Sequence, residues 1–409
     1  MENIMVLGAG ALQLPLIEKV KLRGFNPVVM SLNPEEPGMK IVKDSIIDDF
    51  CDEQRTLEWA KKYNIKAIIT DQTDLPVRTI AYVNEKLGLI GVDYKTACLF
   101  TDKFLMREKC KQLGIKTLRY KLVSTLQEAK EFFDSLNGKS VIIKPINNQG
   151  SKGVCKVKDK TELEEQFNYA KEYSRGEALL VEEFIIGSEL VIEGIAYNDC
   201  AENLICGDTF YFTSMPDTFS ACQRIFPSRQ SKTIVDKALL LNKEIIKGFG
   251  LSRGLTHAEY IIDGEDIYLI EIAARGGGVY ISSDIIPLMT DFDTTNYILD
   301  MALFDNIEPP QIKNNNRVVC YIAFYLPEGI VTNVKGVDEV LKMRFVHHNN
   351  LSSIYEGKRI NKNTNKTSRF FMVLEAKSFD EMDSNIETIH STLNIMVSNN
   401  HVVSGIIWN

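Results

Sequence analysis

Residues 257–278, HAEYIIDGEDIYLIEIAARGGG, constrain the fold more than any other stretch of the chain. With Thr256, the first half alternates polar and apolar residues and closes on Asp263-Gly264. The alternation resumes through EDIYLIEIAA, so the spacing predicts two strands joined as a hairpin. Side chains alternate between the faces of a strand, which lets Glu259 and Glu271 point the same way from paired strands. Converging carboxylates repel unless a cation lies between them, and a site with few protein oxygens suits Mg²⁺ carried in on phosphates. Arg275 follows where the strand gives way to glycines, placed to reach an anion held by such a metal. In isolation the same residues also describe a surface hairpin with ordinary charges.

The chain opens with IMVLGAGALQLPLIEKVKLRGFNPVVMSLNP: a buried strand at 4–7, a glycine turn, a helix to about Arg23, then a second strand. This is the first unit of a doubly wound α/β domain. The dinucleotide fingerprint GxGxxG is broken by Gln13, and Met30-Ser31 replace the acid that would hold a ribose, so a nicotinamide site is disfavoured. The turn then packs the helix or receives a small ligand at the helix N-terminus. A helix near 53–63, the strand AIIT at 67–70, a helix at 74–87 and a short strand at 89–90 complete this unit.

Beyond Thr96 a capped helix is expected over ACLFTDKFLMREKCKQLGI, with Lys103 near its start. An amphipathic helix at 125–136 precedes the strand SVIIKP, whose Lys144 is costly on so apolar a strand unless it meets an anion. The loop NNQGSKGV carries glycines whose amides can close over phosphates. It lacks the GxxxxGK[ST] of a P-loop and leads into another strand, VCKVK. A helix near 160–174 leads to ALLVEEFIIGSELVIEGIAY, where peptide edges and a carboxylate between two strands can hydrogen-bond an adenine. A strand at 203–212 follows, and SMPDTFSACQRIFPSRQ reads as a loop over the site. A helix at 231–249 leads to the hairpin, and helical periodicity returns before residue 303. After EPPQIKNNN the composition shifts to short strands with one helix near 379–392. The run EGKRINKNTNKTSR reads as an extended loop and His347-His348 as a solvated turn.

The 409 residues suffice for two or three domains with cores of their own. A formal net charge of −8 argues against a nucleic-acid surface. The eight cysteines are scattered without a CxxC pair, the pattern of reduced thiols in a cytoplasmic protein. The start lacks a basic leader, and no apolar run approaches membrane-spanning length.

Taken in order, TDK at 101–103, VIIKP at 141–145, the Gly/Ser loop, VEEFIIGSE at 181–189 and HAEY…LIEIAARGGG resemble the ATP-grasp superfamily over nearly the whole chain. The resemblance implies an α/β fold, α+β within the grasp. It divides the chain into a Rossmann-like domain at 1–95, a two-lobed ATP-grasp domain at 96–312 with a lid at about 117–185, and a small mixed β domain at 313–409. It implies that Lys103 and Lys144 contact ATP phosphates and that Gln149, Gly150, Ser151 and Gly153 cover them. Glu182 and the Ile185 backbone would hold adenine, with Glu183 and Phe184 alongside and Glu189 on the ribose. Glu259 and Glu271 match the acids that bind Mg²⁺, with Mn²⁺ as a substitute. Family members often carry an Asn that also touches metal where this chain has Ala273, which puts a second, fully ligated ion in doubt.

The activity implied joins a small-molecule carboxylate to an amine through an acylphosphate, most like the amino-acid ligase branch, in a cytoplasmic enzyme, often a homodimer, with no membrane or nucleic-acid partner. Arg275 and Lys144 would be catalytic. His257, on the same strand face as Glu259, would touch the acceptor or the acylphosphate unless it is structural. Arg275 and the glycines after it are candidates to receive a substrate carboxylate. Competing readings are a biotin- or purine-type carboxylase using bicarbonate, a non-catalytic ATP-binding regulator and a Rossmann oxidoreductase.

Overall fold

The computed structural model of the chain describes every residue except Gln149, Ser151, 175–177, 215–218, 363–367 and His401. The N-terminal unit is a parallel sheet of Asn3–Leu7 (β1), Asn26–Ser31 (β2), Asp44–Ile47 (β3) and Ile65–Ile69 (β4), in the order β3-β2-β1-β4. Continuous apolar runs such as MVL and VVM bury both faces of such a sheet. Gly8, at φ 98°, makes the turn after β1, and Pro15 sits in the first turn of the helix Leu14–Leu22. The strand expected at 89–90 is absent. Gly88 caps the helix Val77–Leu87 in the left-handed conformation, and the Leu89 amide turns back to the Asn84 carbonyl at 2.9 Å.

The single helix expected after Thr96 is two, Tyr94–Leu99 and Lys103–Gln112. Asp102 divides them, because its carboxylate accepts the Phe104 and Leu105 amides and starts a new helix. Next, Tyr120–Val123 (β5), Val141–Pro145 (β6), Cys155–Val157 (β7) and Leu179–Glu183 (β8) form an antiparallel sheet in the order β5-β8-β6-β7. Helices Leu126–Ser135 and Leu163–Glu172 cover it, with a separate core that includes Phe133, Ile143 and Phe167. Thr125 and Glu128 form a capping box on the first of these helices.

The largest layer contains Ser188–Tyr197 (β9), Cys200–Tyr211 (β10), Ala221–Phe226 (β11), Gly254–Asp263 (β12) and Asp266–Ala273 (β13). The remaining strands are Val318–Phe324 (β14), Gly329–Lys335 (β15), Val346–Asn349 (β16), Arg359–Ile360 (β17), Phe370–Ala376 (β18), Asn394–Asn399 (β19) and Val402–Ser404 (β20). Eight of these strands make one sheet, β13-β12-β9-β10-β11-β14-β18-β16, which runs unbroken past residue 313. The other four stack beside it as β17-β15-β19-β20. β11 corrects the loop expected over 214–230. Its polar residues hid it, but it pairs with strands on both edges, β10 and β14. His347 and His348 stand on the edge strand β16, not in a turn, and meet Glu375 at 2.8 Å and Asp284 at 3.1 Å.

Helix Lys232–Gly248 packs one face of the large sheet through Ile192, Ile245 and Tyr260. The opposite face packs Val191, Ile195, Phe226 and Tyr321 into one core with Ile4, Val6 and Ile17 of the N-terminal unit. The polar residues discussed next lie on that second face.

Candidate active site

The hairpin of β12 and β13 sets Glu259 directly opposite Glu271 and His257 opposite Ala273, while β9 brings Glu193 opposite His257. Opposed residues of an antiparallel pair share a face, so these polar groups gather on one surface. The Glu271 carboxylate meets the Lys103 Nζ at 2.8 Å, and the same ammonium donates to the Asn148 carbonyl at 2.8 Å. Glu259 accepts from Arg224 at 2.7 Å and lies 3.3 Å from the His257 Nε2. On its other nitrogen, His257 meets Glu193 at 2.5 Å, and Glu193 also accepts the Gly277 amide at 2.9 Å. Arg275 binds Asp74 through two hydrogen bonds, from Nε at 2.7 Å and from a terminal nitrogen at 2.9 Å.

The charges shift one another accordingly. Burial alone would push the His257 imidazole down, but the charge and hydrogen bond of Glu193 outweigh it and hold the pKa above its ordinary value. Burial opposes the ionised form of Asp74, yet Arg275 keeps its carboxyl below the usual range. Asp71 has no such cation in contact; burial pushes it up to about 6.

In the sheet β5-β8-β6-β7, Lys144 is buried at the end of β6 and paired with Glu182. Arg107 also meets Glu182, at 2.5 Å, and donates to the Ile270 carbonyl at 2.7 Å. Both Glu182 oxygens are therefore engaged by cations. Burial raises and the two cations lower its pKa, which settles at about 2. Glu183 accepts the Arg119 amide at 3.0 Å, and Lys156 stands 3.5 Å over the Phe184 ring. Ile185 is half-buried in the link between β8 and β9, and Glu189 accepts the Tyr211 hydroxyl at 2.5 Å. Gly150 and Gly153 take positive φ, and a Cβ on Gly153 would come within 2.7 Å of Tyr173. Gln149 and Ser151 lie outside the described residues.

Sequence reasoning missed Arg107, Glu193, Arg224, Asp71 and Asp74. Glu193 carried a signal, as a carboxylate inside the apolar strand LVIEGIAY. The amides of Gly276 and Gly277, considered above for a substrate carboxylate, are already taken by Asp71 at 3.1 Å and Glu193. Among the described residues no three His, Cys, Asp or Glu side chains converge as a metal cage. The opposed pair Glu259 and Glu271, each neutralised by an internal cation, fits instead a hard ion that brings phosphate oxygens with it.

Residues 137–284 match the ATP-grasp domain family. That match covers the strands that carry Lys144, Glu182, Glu259 and Glu271. It is similar to the formate-dependent phosphoribosylglycinamide formyltransferase of Wolinella succinogenes, 24% identical over 278 residues, covering 67% of this chain and 70% of the relative. In structure the chain is similar to the L-amino acid ligase of Bacillus licheniformis, with a TM-score of 0.80 at 19% identity over 98% of this chain and 99% of that one. The phosphoribosylglycinamide synthetase of Anaerococcus prevotii aligns with a TM-score of 0.75 at 19% identity, over 97% and 100% of the two chains. The α/β architecture expected from sequence is the one these structures share.

Proposed function

We propose that the protein is an ADP-forming ligase that activates a carboxylic acid with ATP and transfers the acyl group to an amine. The observation that carries this reading is the opposed pair Glu259 and Glu271, with Lys103 on one carboxylate and Arg275 just beyond the strand. The activities of the similar proteins, a formyltransferase, a synthetase and an amino-acid ligase, support the same class.

A carboxylate oxygen of the acid attacks the γ-phosphorus of ATP, and the bond to the β–γ bridging oxygen breaks, giving an acylphosphate and ADP. The amine then attacks the acyl carbon, phosphate leaves and the nitrogen gives up a proton. In this assignment Glu259 and Glu271 hold Mg²⁺, which when bound offsets charge on the phosphates. Lys103 and Lys144 steady phosphate oxygens, and Arg275 faces the acylphosphate and the charge that develops on its carbonyl. Glu183, Phe184, Ile185 and Glu189 line the nucleoside end. Gly150 and Gly153, with Gln149 and Ser151, belong to the phosphate cover. Glu182 acts by holding Lys144 in place, since both of its oxygens are engaged. His257, anchored by Glu193, faces the acceptor.

In this reading residues 1–95, 96–312 and 313–409 are the working units, the last joined to the one before it through the continuous eight-stranded sheet. Eight scattered cysteines with no CxxC pair support a reducing compartment, the cytoplasm. No helix among the described residues is long and apolar enough to cross a membrane.

The test is release of ADP and phosphate from Mg²⁺-ATP across a matrix of acids and amines. It uses the twenty common L-amino acids in both roles, hydroxylamine as a generic acceptor and bicarbonate as an alternative acid. Release that needs one acid and one amine, with a product mass equal to their sum less water, is the expected result. Release driven by bicarbonate would make the enzyme a carboxylase.

A further inference from the structure

The segment Asp71-Gln72-Thr73-Asp74 leaves the end of β4 in the N-terminal unit and grips the stretch after β13 at successive points. The Asp71 carboxylate accepts the Gly276 amide at 3.1 Å. The Gln72 side-chain oxygen accepts the Tyr280 amide at 3.0 Å, and its nitrogen donates to the Leu12 carbonyl at 3.0 Å and the Ser283 hydroxyl at 3.2 Å. Asp74 takes the Arg275 guanidinium through two bonds, at 2.7 and 2.9 Å. From the sheet side, Glu193 closes the same turn through the Gly277 amide.

The glycines are needed for this fit. A Cβ on Gly276 would lie 2.6 Å from an Asp71 oxygen and 2.3 Å from the Ser282 hydroxyl, and one on Gly277 would lie 2.3 Å from a Glu193 oxygen. Arg275 is half-buried, and beyond Asp74 it donates to the Gly276 carbonyl at 2.9 Å. Its five N–H groups are thus committed at three points. Two remain, one on each terminal nitrogen, and these are the donors left to offer an anion. A guanidinium on its own samples many rotamers, whereas a bidentate carboxylate fixes its plane.

We propose that the N-terminal unit, through Asp74, is the positioning device for Arg275, and that the Asp71–Asp74 clamp aligns this arginine with the acylphosphate. The proposal rests on the ligase reading above. When the guanidinium is misaligned, water competes with the amine. Its oxygen attacks the acyl carbon, the carbon–oxygen bond to phosphate breaks, and the acid and phosphate are released with no amide formed. Loss of the clamp therefore uncouples ATP use from ligation and leaves nucleotide binding close to wild type, because Asp74 bonds Arg275 through both of its oxygens, while Lys103, assigned to ATP, feels Asp74 through its charge.

The experiment compares wild type, Asp74→Asn, Arg275→Ala and the double variant, using the acid and amine that respond in the matrix above. The readouts are kcat for ligation, KM for ATP, ADP released per amide formed, and the rise in Tm on adding Mg²⁺-ATP. Asp74→Asn is expected to lower ligation about hundredfold, as a misplacement of about 1 Å can. It should raise ADP per amide severalfold while KM for ATP and the Mg²⁺-ATP shift stay near wild type. The double variant should ligate no worse than Arg275→Ala alone. Wild-type ligation and coupling in Asp74→Asn, with Arg275→Ala inactive, would overturn the clamp and leave the ligase reading standing. Normal ligation in Arg275→Ala would remove Arg275 from the mechanism and the clamp with it, whereas a wild type that forms no amide anywhere in the matrix would remove the ligase reading itself. Should Asp74→Asn fail to fold, Asp74→Glu, which keeps the charge and displaces it, carries the same expectations.

Discussion

Two charged clusters, one at each end of the cleft, use the same chemistry in opposite ways. Arg107, Glu182 and Lys144 form a closed triad in which no side chain is more than 6% exposed. Glu271 and Glu259 across the hairpin are also paired with cations, yet they remain 33% and 22% exposed. In the triad both Glu182 oxygens are held by cations, and removing one member strands the others in a dry interior. In the hairpin cluster the internal cations neutralise carboxylates that an incoming ion can still reach. The first arrangement fixes a lysine in place. The second, on the proposed assignment, keeps two acids folded and available until nucleotide and metal arrive.

The largest effect that tests this contrast is on turnover. Glu271→Gln keeps shape and removes one charge from the open cluster. ADP formation should fall at least a thousandfold, on the order of 4 kcal/mol in the barrier. The unfolding midpoint should stay close to wild type, because the lost pair with Lys103 is partly solvated. Steady-state ADP release and thermal unfolding read the two together. Turnover near wild type would take Glu271 out of the metal site and erase the distinction between the clusters.

Glu182→Gln should invert that pattern, with stability lost first. Two buried cations would face a neutral amide, at a cost of about 3–5 kcal/mol measured by urea unfolding. The pH dependence carries a definite sign. Glu182 has a folded pKa of about 2, below its ordinary value of 4.5. Its contribution is complete above the unfolded value and is withdrawn as pH falls through about 2. The wild type should therefore lose stability across that acid range, and Glu182→Gln should lack this part of the loss. An unchanged acid limb in the variant would mean the triad does not hold Glu182 ionised.

The sequence disclosed one side of each cluster and concealed the other. Strand alternation and an Asp-Gly turn placed Glu259 and Glu271 on one face, and a lysine on an apolar strand marked Lys144. Their partners carried weaker marks. Arg107 sits in the middle of a charged helix where a basic residue is ordinary, and Arg224 lies on a strand whose polar residues read as a loop. Asp74 meets Arg275 across 201 positions of chain. Local periodicity reports which way a side chain faces, whereas the identity of its partner depends on tertiary pairing. The same limit explains the strand expected at 89–90, where a glycine cap used the backbone that a strand would need.

Gly277→Ala probes the boundary between the clusters and the clamp. The added methyl would stand 2.3 Å from a Glu193 oxygen, so the carboxylate must withdraw from the turn or from His257. A cost of about 1–3 kcal/mol in stability is expected, with a fall in ligation. An unaltered variant would show that Glu193 has room to move and does not brace the site.

The smallest effect belongs to a pair that lies outside both clusters. Lys116 and Asp266 meet at 2.5 Å, with side chains 56% and 45% exposed. Their geometry is as close as that of Arg107 with Glu182, also at 2.5 Å. Distance alone would rank the two pairs equally. Water, however, solvates Lys116 and Asp266 as well apart as together, and salt screens what attraction remains. Lys116→Ala should therefore leave both Tm and ligation indistinguishable from wild type at physiological ionic strength. A drop comparable to that of Glu182→Gln would mean that contact distance, not burial, sets the energetics of these ion pairs, and the contrast between the triad and the open hairpin would lose its physical basis.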